Sequence, residues 1–153
     1  MNIKEQLFKQ CEAFVNKRLK TVEEIISSNQ KALQSETKSS AGDKHETGRA
    51  MLQLEMEKAG QQLVGIRQMK TVLAKIDVSN PEISKLKIAH LGSIISTEKT
   101  NYFLSISAGK LTIENQVFFA ISVSSPIGKL LLGKKEGEIF SFNGNEIKII
   151  KIN

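Results

Sequence analysis

Asp43 and Glu46 stand three residues apart in a short polar stretch, Ser39-Ser40-Ala41-Gly42-Asp43-Lys44-His45-Glu46-Thr47-Gly48-Arg49, which separates two long segments of helical periodicity. Residues at this spacing share one face of a helix. If a helix begins near Asp43, both carboxylates project from its first turn into solvent as a pair of anionic oxygen donors. The same residues also satisfy an architectural reading, an N-cap acid followed by a first-turn glutamate at the positive end of the helix dipole. The two readings are compatible, because a capping carboxylate keeps free lone pairs. These acids are the candidates for chemistry, and the other elements must position them.

Before the polar stretch, Leu7, Cys11, Phe14, Val15, Leu19, Val22 and Ile26 recur at steps of three and four, the seam of an amphipathic or coiled-coil helix. The seam thins beyond Ile26, with only Ala32 and Leu33 before Ser35, so the distal part of this helix is expected to be exposed on all sides. After the stretch, Met51 or Leu52, then Met56, Ala59, Leu63, Ile66, Leu73 and Ile76 resume the pattern. Two helices of roughly 35 residues with a short polar connection predict an antiparallel rod about 50 Å long. Gly48, Gly60 and Gly65 each weaken the second helix by up to about 1 kcal/mol unless they permit close approach. A hairpin within a larger helical bundle is the other reading of the periodicity, but nothing later in the chain supplies more long helices.

Asp77-Val78-Ser79-Asn80-Pro81 ends the second helix and sets a domain boundary, 1–77 against 78–153. Beyond it β-branched and aromatic content rises, and residues 86–91, 102–106, 110–113, 116–123, 138–142 and 146–152 read as strands. Asn143-Gly144 is a hairpin turn between the last two. The apolar phase slips between Ile149 and Ile150, which marks a bulge or a strand covered on both faces. One short helix interrupts the strands: Ser125 is its N-cap, Pro126 its first residue, Ile127, Leu130 and Leu131 its apolar face, and Gly133 its stop. The fold class is α+β, an N-terminal antiparallel coiled-coil hairpin, with its acidic tip near 39–48, followed by a small antiparallel β domain with one short helix.

The bulk properties narrow the function classes. The 153 residues are 40% hydrophobic and 25% charged, with a net charge of +6 that suits an acidic or nucleic-acid-containing partner. There is no apolar run of about 18 residues and no apolar core of a signal peptide, so a cytoplasmic protein with no membrane partner is expected. One cysteine, Cys11, within a helical apolar pattern excludes a disulfide framework or a cysteine zinc site in a single chain. Lys17, Arg18 and Lys20 read as a solvated coiled-coil face or as a face toward RNA or a channel wall.

The run Ser125-Pro126-Ile127-Gly128-Lys129-Leu130-Leu131-Leu132-Gly133-Lys134-Lys135-Glu136-Gly137-Glu138 closely resembles the signature near the end of bacterial transcript cleavage factors of the Gre family. Those factors couple an N-terminal antiparallel coiled coil to a C-terminal FKBP-like domain, and they carry an Asp-x-x-Glu pair at the tip, matched here by Asp43 and Glu46. The resemblance implies a transcription elongation factor that binds bacterial RNA polymerase and inserts its coiled coil into the secondary channel. There the tip acids would help hold a magnesium ion and its water at the polymerase active site, so that a backtracked RNA 3′ end is hydrolysed. On this reading Asp43 and Glu46 are the catalytic and metal-binding residues, active only in the polymerase complex, and the chain has no cofactor and no enzymatic activity of its own. Ser125, Pro126, Lys134 and Lys135 would belong to the surface facing the polymerase.

The tip departs from the family pattern, since Thr47, Gly48 and Arg49 replace the usual asparagine, alanine and acid. Arg49 can pair with Glu46 or contact a phosphate, and His45 can add a ligand or remain a solvated loop residue. Three other readings follow: a channel-binding regulator without cleavage activity, a peptidyl-prolyl isomerase, and a coiled-coil adaptor. The isomerase reading is weak, because its pocket needs clustered aromatics and the chain has no tryptophan and one tyrosine, Tyr102.

Overall fold

In the computed structural model, described for residues 2–38, 42–80, 82 and 85–153, with the side chains of 36–46 outside the description, two long helices precede a six-stranded sheet. Helix α1 covers Ile3–Lys38 and α2 covers Gly42–Ala74; no helix among the described residues is long and apolar enough to cross a membrane. Asn2 opens α1 by accepting the Glu5 N–H through its side-chain oxygen at 2.8 Å, which satisfies one of the donors a helix start leaves unpaired. At the other end α2 tightens into a last short turn, with Lys75 and Ile76 donating to Val72 and Leu73. Asp77 then accepts from the hydroxyl and the N–H of Ser79, and these bonds hold its carboxyl below the usual range. Pro81, expected to end this region, lies outside the described residues.

Compactness groups the chain as Val15–Met69 on one side and Met1–Phe14 with Lys70–Asn153 on the other. In the first unit the two helices meet along Val15, Val22, Ala59 and Ile66, all buried. In the second, the roots of both helices belong with the sheet. Gln10 donates to the Thr112 carbonyl at 3.1 Å, Cys11 Sγ lies 3.7 Å from Ser105 Oγ, and Gly92 leaves room for Ile76. Helix α2 ends at Ala74 and the first strand begins at Ile94, while the buried contacts of the root extend back along both helices.

The strands are β1 (Ile94–Thr97), β2 (Asn101–Ser105), β3 (Gly109–Ile113), β4 (Gln116–Ser122), β5 (Ile139–Phe142) and β6 (Asn145–Ile152), in the spatial order β3-β4-β2-β1-β6-β5. Four neighbour pairs are antiparallel, but β2 and β4 run parallel, so the sheet is mixed where the sequence led us to expect antiparallel pairing throughout. The parallel pair arises because β3 folds back on β4 as a hairpin and occupies the edge, leaving β4 to fill the place beside β2. One face packs Ile95, Leu104, Phe140, Ile147, Ile149 and Ile152 against the short helix α3 (Pro126–Leu131), which contributes Leu131 and, partly buried, Ile127. The opposite face carries the buried residues Ile94, Phe103, Ser105, Leu111, Ile113, Phe118 and Ala120, and Ser105 meets Cys11 there. Coverage of both faces explains why Tyr102, Phe103 and Leu104 run consecutively in β2 without polar alternation.

One strand expectation changes. Residues 86–91 do not form a strand: Lys87 has a φ of 55° and only Ile88 makes a bridge, to Lys135. The first strand is instead Ile94–Thr97, four residues of which two are polar, too short for a period-two signal. The phase slip at Ile149 and Ile150 is a bulge. Ser96 pairs with Lys151 and Thr97 with Ile149, so Ile150 is the extra residue and is 55% exposed.

Candidate functional site

Helix α2 begins at Gly42, so residues 43 and 46 fall at its start, the end joined to α1. The side chains of Asp43, His45 and Glu46 lie outside the described residues. Thr47 and Arg49, which follow them, are exposed. Among the described residues no group of three or more His, Cys, Asp or Glu side chains could hold a metal ion. Lys17, Arg18 and Lys20 are all exposed on α1.

Around α3 the sequence signature resolves into folding roles. The Ser125 hydroxyl accepts the Gly128 N–H at 3.1 Å and donates to the Ser122 carbonyl at 2.6 Å, an N-cap that also ties the helix to the end of β4. Pro126 occupies the first turn, where its missing N–H costs nothing. A Cβ at Gly128 would stand 2.0 Å from the Ser122 oxygen, so only glycine fits. Leu131 is fully buried, and Gly133 turns the chain at a φ of 83°. Leu130, expected on the apolar face with Ile127, is instead 37% exposed, because the four-residue step from Ile127 to Leu131 takes the inward stripe and leaves Leu130 turned away. Replacing Ser125 by alanine removes the cap and should lower the stability of this unit by about 1 kcal/mol, read as a lower urea midpoint.

What the signature leaves at the surface is a mixed apolar and basic strip. Ala89 donates to Lys134 and accepts from Gly133, both at 2.8 Å, and this pairing sets residues 86–89 beside 132–135. Leu86 (58% exposed), Ile88 (40%) and Leu132 (40%) therefore lie along neighbouring segments, with Lys85, Lys87 and Lys135 exposed among them. Of the four residues expected to bind a partner, Pro126 and Lys135 are exposed, Lys134 is half-buried, and Ser125 has its hydroxyl engaged in the cap. The apolar members of the strip were hidden in the sequence because 86–91 reads as a strand whose apolar residues would point inward.

Two further side chains bear on function. Cys11 is buried, and burial pushes its thiol up from the usual 9.0 to about 11, against a smaller opposing effect of the Ser105 hydrogen bond. The native chain at pH 8 should therefore resist a thiol reagent that reacts at once with the urea-unfolded chain. Since the folded value is the higher one, the stability Cys11 contributes is complete below pH 9.0 and is lost as pH rises toward about 11. Asn29 was not singled out in the sequence. It is buried seven residues after Val22, and Thr21, Glu24, Ile25, Ser28, Glu55, Lys58, Ala59 and Gln62 line a groove with it. A count of sevens from Val15 and Val22 would have found it.

No protein-family model matches the chain, and no curated protein matches its sequence. Among solved structures, it is similar to a prokaryotic transcription elongation factor GreA/GreB from Nitrosomonas europaea, with 19% identity over 57% of this chain and 78% of that one and a TM-score of 0.34. So loose an overlay leaves the fold and the site to rest on the chain's own residues.

Proposed function

We propose that the chain is a Gre-like transcription elongation factor that binds bacterial RNA polymerase, inserts its helical hairpin into the secondary channel and stimulates hydrolytic cleavage of backtracked nascent RNA. The observation that carries the reading is a carboxylate pair in the sequence at the start of the second helix of a long hairpin, joined to a sheet domain built on the capped helix α3. Hydrolysis then belongs to the polymerase, and the chain is no enzyme by itself. Magnesium prefers oxygen ligands and often takes only one or two protein carboxylates, which is the donor set Asp43 and Glu46 provide. Once bound it would stabilise charge on the attacking and leaving oxygens of an in-line displacement. The hairpin's task is to carry the two acids to an active site that lacks them, and the strip from Leu86 to Lys135 would dock on the polymerase.

A second reading, a channel-binding regulator without cleavage activity, is favoured by Thr47, Gly48 and Arg49, because a guanidinium three residues from Glu46 can neutralise it within the helix. A stalled, backtracked complex of the cognate polymerase with end-labelled RNA separates the two. Shortened RNA above the polymerase's own background supports cleavage stimulation. Binding without shortening leaves the regulator, and failure to bind removes both.

A further inference from the structure

We infer that Glu136 and Lys87 form a clasp that fixes the two segments of the surface strip, 86–89 and 132–135, to the open end of β6, and that they are positioning residues for docking through that strip. β5 faces β6 from Ile139 opposite Lys148 to Phe142 opposite Asn145, and bonds of Ile149 with Gly137 and Glu138 extend the pairing by one step. Past the bulge at Ile150, no strand among the described residues lies on the outer side of β6. Asn153 exchanges both its backbone bonds with Ile94, so alternation turns the N–H and C=O of Ile152 outward. The Ile152 side chain is fully buried, which keeps this peptide from turning away to other partners. Glu136 Oε1 accepts the Ile152 N–H at 3.0 Å, and Lys87 Nζ donates to the Ile152 carbonyl at 3.4 Å. Two side chains thus do for the end of β6 what a neighbouring strand does elsewhere.

Both side chains come from the strip. Glu136 directly follows Lys135, and Lys87 stands between Leu86 and Ile88, whose segment is tied to 132–135 through Ala89. Their own ion pair is long, 3.9 Å between side chains 53% and 39% exposed, so it adds little by itself. The bonds to the part-buried Ile152 peptide carry the clasp, because losing one leaves that group without its partner. Lys87 also holds a φ of 55°, a conformation that a lysine keeps only where its surroundings impose it, and such positions gather at binding sites. Lys85 is the contrast: it meets Glu82 at 3.1 Å between two largely exposed side chains, a contact of small worth. The clasp is a property of the chain alone, but its part in docking rests on the proposed function.

Amide exchange at Ile152, followed by NMR on the full chain, tests the clasp, and titration against the stalled, backtracked polymerase complex tests its use. Glu136→Ala should speed Ile152 exchange by roughly tenfold and raise the concentration for half-maximal polymerase binding by roughly tenfold, with RNA shortening at saturation unchanged. Glu136→Gln keeps an oxygen for the Ile152 N–H and should restore most of both. Lys87→Met should also speed Ile152 exchange, and it keeps the test open should Glu136→Ala not fold. Ile152 exchange at the wild-type rate in both Glu136→Ala and Lys87→Met overturns the clasp. Faster exchange with an unmoved half-maximal concentration overturns the positioning role. So does a uniform loss of protection through β1, β2 and β4, which would make Glu136 a general support of the sheet. A wild type that does not bind the polymerase overturns the proposed function and the docking role together, while Ile152 exchange still decides the clasp.

Discussion

Replacing Asp43 and Glu46 together by alanine should lower stimulated cleavage of backtracked RNA by more than about a hundredfold while leaving binding to the polymerase intact. The size follows from their proposed role, since groups that merely support metal ligands are commonly worth ten- to a hundredfold and direct ligands should exceed that. Binding should survive because the two acids contribute little to the fold. A first-turn carboxylate is worth about 0.3–1 kcal/mol against the helix dipole, too little to unfold a hairpin held by Val15, Val22 and Ile66. Docking on the proposed reading depends on the other unit, around Leu86, Ile88 and Lys135. If the double variant cleaves as well as wild type, the acids are only caps and the chain works by another means. Equal loss of binding and cleavage would move the docking surface to the tip.

Much of the architecture could be read locally. The helix seams, the Ser125 cap, the Asn143-Gly144 turn and the bulge at Ile150 are each specified by residues within a few positions of one another, and each occurs where those residues stand. The mixed sheet could not be read that way, since the parallel register of Phe103 on Ala120 is set by burial of both faces and by β3 taking the edge. Lys87 breaks an apolar alternation through its backbone conformation, and nothing in its side chain announces that. Asn29 escaped notice because a polar residue ends an apolar count, although the step of seven continues through it. The tip acids are visible as a pair, but the chemistry proposed for them would need a partner's active site, which no residue of this chain encodes.

The signature around α3 leads to the second large effect. Gly128→Ala should cost the sheet unit about 3 kcal/mol, a fall in urea midpoint that can be followed through the emission of Tyr102 on the covered face. The new Cβ would stand 2.0 Å from the Ser122 carbonyl oxygen, which also accepts from the Ser125 hydroxyl and N–H at 2.6 and 3.0 Å. Relief by moving that oxygen breaks the cap, and relief by moving α3 withdraws Leu131 from its fully buried place. Gly133→Ala is the informative comparison: φ there is 83° but the space is open, so only backbone strain of about 1–2 kcal/mol is expected. A larger loss at Gly128 than at Gly133 would establish Gly128 as a device for seating α3, distinct from the proposed docking strip of Leu86, Ile88, Leu132 and Lys135 beside it. Should Gly128→Ala keep full stability and lose polymerase binding, the helix would be the docking element itself, and the close approach to Ser122 would have to relax at little cost.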